Sequence, residues 1–143
     1  MYDALVAITL TLFAVVGTTI FHFEALRVVD WAARKNLHHR VLVPTVIMLV
    51  ILSHLFESGF YSIIYYTADI PLNIGSFSGR PPGPLALFYF AAETYSSLGL
   101  DDIMPHGALR LIVAIGSING ILLLTWSGSY LFAFANRLDR VRK

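Results

Sequence analysis

Residues 84–100 read PLALFYFAAETYSSLGL, a run apolar enough to enter a membrane and too short to cross one. As a helix, residues 84–96 reach only about 20 Å at 1.5 Å per residue, against a hydrocarbon core of roughly 30 Å. Pro84 stands where a first helical turn tolerates proline. Glu93 interrupts the apolar run, and Gly99, Asp101 and Asp102 close it. Such a segment dips into the bilayer and returns. Its non-helical backbone is tolerated only if it is buried in protein or lines water.

Outward from this segment lie three stretches long enough to span. Between Asp3 and Glu24 there are 20 residues without Lys, Arg, Asp or Glu. Residues 41–68 hold only Glu57 among the charged types, and residues 111–136 hold none. Over the whole chain 57% of residues are hydrophobic and 13% are charged, against about 25% charged in a soluble domain. Mean hydropathy is +0.70. Lipid is therefore the expected solvent. The absence of cysteine excludes disulfides and thiolate metal sites. A net charge of +1 gives no reason to expect nucleic acid. The opening MYDALVAITL lacks a basic region and does not read as a cleaved signal, and the spans leave no room for a soluble catalytic domain.

The basic residues set the expected orientation. Arg27, Arg34, Lys35, Arg40, Arg137, Arg140, Arg142 and Lys143 share one face only if residues 84–100 return without crossing. The positive-inside rule then places the N-terminus outside and the C-terminus in the cytoplasm, in the cell membrane. The outer loop IPLNIGSFSGRPPG is expected to hold turns and no regular element. No internal repeat is visible, which argues against an inverted-repeat transporter.

A half-crossing helix, a Gly-containing turn and a full helix form the unit of cation pores. The short helix aims its partially negative end at the membrane centre, and the turn can offer carbonyls in place of an ion's water shell. The residues Glu93-Thr94-Tyr95-Ser96-Ser97-Leu98-Gly99-Leu100-Asp101-Asp102 resemble the pore-helix end and filter of tetrameric potassium channels, whose pattern is T-V-G-Y-G-D. Pro105, Arg110-Leu111 and Gly120 fall where that family has its loop proline, inner-helix start and hinge glycine. The run from Asn119 to Ser127 is also similar to small bacterial ion channels with an extra N-terminal helix.

The resemblance implies a homotetramer in the lipid bilayer, with Ser97, Leu98, Gly99, Leu100, Asp101 and Asp102 as the filter. Glu93 and Thr94 would support it, and Gly120 would be the inner-helix hinge. Glu93 would lie behind the filter near Asp102, where two close carboxyls do not both ionise easily. Two departures stand out. Leu100 replaces the family's Tyr and removes the hydroxyl that holds the filter's width. Asp101 replaces a glycine that needs left-handed backbone, at a cost of roughly 1 kcal/mol. A wider, hydrated upper filter follows, with carboxylates that attract cations and can bind Ca²⁺.

Within span 2, His54 and Glu57 stand three apart on one face, where buried charge is costly. They read as a neutral, mutually bonded pair that locks helix packing, with a proton-sensitive switch or a metal ligand pair as the functional alternative. His22 and Glu24 read as interfacial, as do His38 and His39. An intramembrane metal protein or enzyme using His22, Glu24, His54 and Glu57 is the rival reading. It is disfavoured because residues two apart point to different faces of a helix.

The expected organisation is an all-α integral membrane protein with three spanning helices, a re-entrant pore helix and a filter loop. An extra helix covers 1–28, a basic cytoplasmic loop 29–40, and a pore domain 41–136. The pore domain comprises an outer helix 41–68, pore helix 84–96, filter 97–102 and inner helix 108–136, before a basic tail at 137–143. The expected function is a cation channel, not an enzyme, weakly selective between K⁺ and Na⁺ and permeable to Ca²⁺. A potassium-selective channel with an altered filter is the alternative. No cofactor is expected, and no metal beyond the permeant ions.

Overall fold

A computed structural model describes residues 1–35, 38–79, 83–100 and 103–141. The order is α1 (Tyr2–Ala33), α2 (His39–Asp69), β1 (Gly75–Ser78), α3 (Pro84–Tyr95), β2 (Met104–Gly107) and α4 (Leu109–Val141). The helices α1, α2 and α4 are each long and apolar enough to cross a membrane. The protein is an all-α, multi-pass membrane protein.

The buried face of α1 is Ala7, Thr11, Ala14, Thr18, His22, Leu26 and Val29. These recur at three and four residues, so they form one stripe, and the small members let neighbouring helices approach closely. Thr11 and Thr18 donate their hydroxyls back to the carbonyls of Ala7 at 2.7 Å and Ala14 at 2.8 Å. That leaves no unmet donor against the apolar neighbours.

Pairings along the stripe fix the directions. Phe13 stacks on Phe60 and Phe21 on Phe56, so α1 and α2 are antiparallel. Thr18 bonds Asn119 and Asp30 bonds Arg137, so α1 and α4 are parallel. The two chain ends therefore leave at opposite ends of the bundle.

The outer loop differs from the expectation of turns alone. Residues Gly75–Ser78 pair antiparallel with Met104–Gly107, in the register Gly75 to Gly107 and Ser78 to Met104. His106 Nε2 meets Ser78 Oγ at 2.7 Å across this ribbon. A four-residue GSFS segment has no strand signature of its own. It becomes one because its partner is brought alongside, which is a tertiary effect. The ribbon matters for the fold because β1 precedes α3 and β2 follows the loop after it. Both ends of the 84–100 segment are thus pinned at the same end of the bundle, and the segment returns without crossing.

Two apolar clusters occupy the two halves of the bundle. One gathers Tyr61, Tyr65, Phe90, Tyr95, Leu109 and Ile112 around α3. The other joins Val29, Leu42, Val46, Val50 and Phe134 at the end where α1 meets α2. Along each spanning helix, the buried polar residues His22, Ser53, Glu57 and Ser127 fall between them. The linker between α1 and α2 is shorter than the expected basic loop, because α1 continues to Ala33. There Asp30 accepts from Arg34 at 2.6 Å and from Arg137 at 3.1 Å, tying α1 to α4.

Gly120 lies where α4 presses on the end of α3. A Cβ there would run into the Tyr95 carbonyl oxygen and sit 2.8 Å from Tyr95 Cγ. A Cβ on Gly128 would meet nothing within 4 Å. Gly120→Ala is therefore expected to destabilise the protein by about 1–3 kcal/mol through overpacking. Gly128→Ala should stabilise it by up to about 1 kcal/mol through helix propensity. Thermal unfolding of both variants in one detergent checks the opposite signs.

Candidate functional site

Helix α3 starts at Pro84 behind Gly83 and ends at Tyr95 after 12 residues, about 18 Å of rise. Its last turn closes on itself. The Ser97 N–H donates to the Thr94 carbonyl at 3.1 Å and the Leu98 N–H to the Glu93 carbonyl at 2.8 Å. The Thr94 hydroxyl donates to the Phe90 carbonyl at 2.8 Å, so it serves the helix end. Beyond that point the backbone takes a positive φ at alternate residues, 61° at Ser97 and 59° at Gly99. At Ser97 this is the left-handed C-cap of α3, with the N–H of the next residue returned to the Glu93 carbonyl. Leu98 and Leu100 stand 64% and 75% exposed, too much apolar surface for a loop that faced only water. Ser97 Oγ lies 3.2 Å from Ser117 Oγ of α4, which ties the loop to the third span. The left-handed Ser97 is a feature that the sequence pattern did not reveal, since the only left-handed site expected was Asp101.

Glu93 holds a buried Oε2 without a hydrogen-bond partner among the described residues. The expected carboxylates Asp101 and Asp102 lie outside the described residues. Ile103 is buried. Gly120 sits inside a continuous α4 and serves as the contact point with Tyr95.

Behind this loop, the Tyr95 side chain reaches into a buried polar knot drawn from all four helices. The Tyr95 hydroxyl donates to Glu57 Oε2. His22 Nδ1 lies 2.8 Å from Glu57 Oε1 and His54 Nδ1 lies 3.0 Å from Oε2. On the far side, Ser127 Oγ stands 3.0 Å from His54 Nε2 and 3.4 Å from His22 Nε2. His22 and Glu57 are 0% and 1% exposed, so no water competes for these bonds. His54 and Glu57 form the expected pair. His22, read from the sequence as interfacial and grouped with this pair only in the rival reading, is instead fully buried beside Glu57. A signal for it existed: it lies four residues after Thr18 and four before Leu26 on the buried stripe of α1. Glu24 points away, as expected for a residue two along, and pairs with Arg27 at 2.9 Å on the exposed face.

Residues 41–137, which take in α3 and all but the ends of its spanning flanks α2 and α4, match the family model described as Ion channel. The chain belongs to the ion channel family. Its pore is of the potassium-channel-like type with two flanking spans. No curated protein and no solved structure gives a match.

In this channel, α1 lies outside the family match yet is bonded to the pore spans at two further levels, through Thr18 and through Asp30. Asn119 of α4 donates to Thr18 Oγ1 at 2.8 Å and to the Tyr61 hydroxyl at 3.0 Å. Removing one partner of the buried knot strands the rest. Glu57→Ala is expected to cost the channel about 3–5 kcal/mol, and Tyr95→Phe about 1.5–3 kcal/mol for one bond to a carboxyl. The exposed Glu24→Gln should stay within about 0.5 kcal/mol of the parent. Denaturant unfolding of the purified channel measures all three, and a Glu57→Ala protein as stable as the parent would contradict the knot's role.

Proposed function

We propose that four copies of this channel surround a common axis and conduct cations through residues 97–101. Selection between K⁺ and Na⁺ is weak, and Ca²⁺ passes. The observation that carries this reading is the returning α3 followed by a tight loop with left-handed backbone at Ser97 and Gly99, a loop whose carbonyl oxygens can serve ions when it is repeated around an axis. A single copy offers one strand of oxygens and encloses nothing, so a ring of copies is needed. The exposed Leu98 and Leu100 are then covered by neighbouring copies. Asp101 and Asp102 would add two carboxylates per chain at the outer mouth, eight in the assembly. Hard oxygen rings of that charge concentrate cations and hold Ca²⁺.

Weak selection follows from side chains. With Leu at position 100 there is no hydroxyl to hold the ring at one diameter, and Asp at 101 resists a left-handed backbone. A second reading, selection for K⁺ by main-chain oxygens alone, is favoured by the same alternation at 97 and 99. On either reading the protein is a passive pore and not an enzyme. The basic residues put its N-terminus outside and its C-terminus in the cytoplasm of the cell membrane.

Native mass spectrometry should give a species of four 15.9 kDa chains, and a monomer or dimer alone would sink the pore. Reversal potentials in opposed K⁺ and Na⁺ gradients should lie close to zero for the parent. They should shift toward the K⁺ equilibrium potential in Leu100→Tyr/Asp101→Gly, with weaker block by external Ca²⁺. A parent that already reverses near the K⁺ potential would decide for the second reading. Cysteines placed at Ser76 and Arg34 should label from outside and inside respectively, and labelling from one side only would contradict the orientation.

A further inference from the structure

The buried knot has more acceptors than donors. Glu57 offers two carboxyl oxygens, approached by His22 Nδ1 at 2.8 Å, by His54 Nδ1 at 3.0 Å and by the Tyr95 hydroxyl. If both neutral imidazoles donate from Nδ1, each presents a bare Nε2 to the same Ser127 hydroxyl, at 3.4 and 3.0 Å. That hydroxyl carries one proton and serves one nitrogen only. Placing the imidazole protons on Nε2 cures that end, since Ser127 Oγ then accepts from both rings. Two bare Nδ1 lone pairs now face a carboxylate, acceptor against acceptor. With one ring of each kind, His54 Nδ1 competes with Glu57 for the single Tyr95 proton, and a cation among these donors relieves that competition.

We propose that His22, His54 and Glu57, completed by Tyr95, form an intramembrane site for a divalent transition metal, with zinc the ion that best suits the donors. Ligand atoms of His22, His54 and Glu57 all lie within 4.8 Å of one another. The Tyr95 oxygen lies 3.1 Å from His54 Nδ1 and supplies the fourth donor. Zinc bonds of roughly 2.0–2.1 Å set the edge of a tetrahedron at about 3.3 Å. The nitrogen–oxygen separations of 2.8, 3.0 and 3.1 Å lie just below that edge, and no pair of ligand atoms from His22, His54 and Glu57 is more than 4.8 Å apart. Two imidazoles, a carboxylate and a phenol oxygen are borderline ligands of the kind zinc accepts.

The remaining ring atoms behave as a zinc site requires. Both Nε2–H groups converge on Ser127 Oγ, which would fix the tautomer and the ring planes of both ligands. Charge closes as well. The hydroxyl of Tyr95 gives its proton to bulk water on binding, and the ion with the anions of Glu57 and Tyr95 carries no net charge. That neutrality matters at membrane depth, where an uncompensated charge is costly. The site lies within one chain and draws on α1, α2 and α3. Metal content therefore tests it independently of assembly and conduction.

The test uses the full channel, purified through a histidine-free tag from cells supplied with zinc, then with cobalt. The parent is expected to carry one metal per chain, with the visible absorption of four-coordinate cobalt in the second preparation. His22→Asn and His54→Asn should lose the metal. Ser127→Ala keeps every ligand and should hold metal about 10–100-fold more weakly in competition with a chelator. That variant keeps the site testable even where the histidine variants fail to fold. The exposed His106→Asn should retain the parent's content. A folded parent without stoichiometric metal from either preparation would assign the missing charge to a proton on one imidazole and overturn the site. Metal retained equally by parent and both histidine variants would overturn it too.

Discussion

The bond between the Tyr95 hydroxyl and the Glu57 carboxyl joins the returning helix to the bundle that holds it. A helix of 12 residues inside a membrane has no far end in water, and its C-terminus must find partners within the protein. Tyr95 is the last residue of α3 and lies two residues before the left-handed Ser97. Its hydroxyl is bonded to α2, and its backbone is pressed against Gly120 of α4. The position of the loop carbonyls is thereby fixed by a buried carboxyl that itself belongs to neither the loop nor its helix. Polar groups of this kind are costly in lipid, and here His22, Glu57, Tyr95 and Ser127 all make contacts that cross between helices.

The same constraint gives α1 a role. Its buried stripe carries His22 to Glu57 and Thr18 to Asn119, so α1 meets the outer and inner spans at the depth of the pore-helix end. Farther along, Asp30 meets Arg137. The extra helix is therefore an integral wall of the bundle and is linked to Tyr95, at the end of α3, through one intermediate, Glu57.

Much of this was legible in the chain itself. The three spans are long uncharged runs, and the returning segment is betrayed by its length, Pro84 and the placement of basic residues. These signals are one-dimensional. What they missed depends on contacts between distant segments. The ribbon of Gly75–Ser78 with Met104–Gly107 forms because two weak segments are brought together by the helices they flank. The knot was half visible, because His54 and Glu57 share a helix face while His22 lies 35 residues from Glu57. Its place on the small-residue stripe of α1 was the available clue. In the loop, family resemblance named residues 97–102, but the left-handed serine at 97 follows from how the last turn of α3 closes, which no residue pattern states.

The central claim is that ions pass along the loop after α3. The chain contains no cysteine, so a Leu98→Cys variant carries a single reactive thiol at an exposed loop position. In planar bilayers holding this variant, discrete cation currents should appear and should be blocked by a charged thiol-directed reagent, with reducing agent restoring them. Currents that persist unchanged after complete modification of residue 98 would contradict a conduction path through the loop.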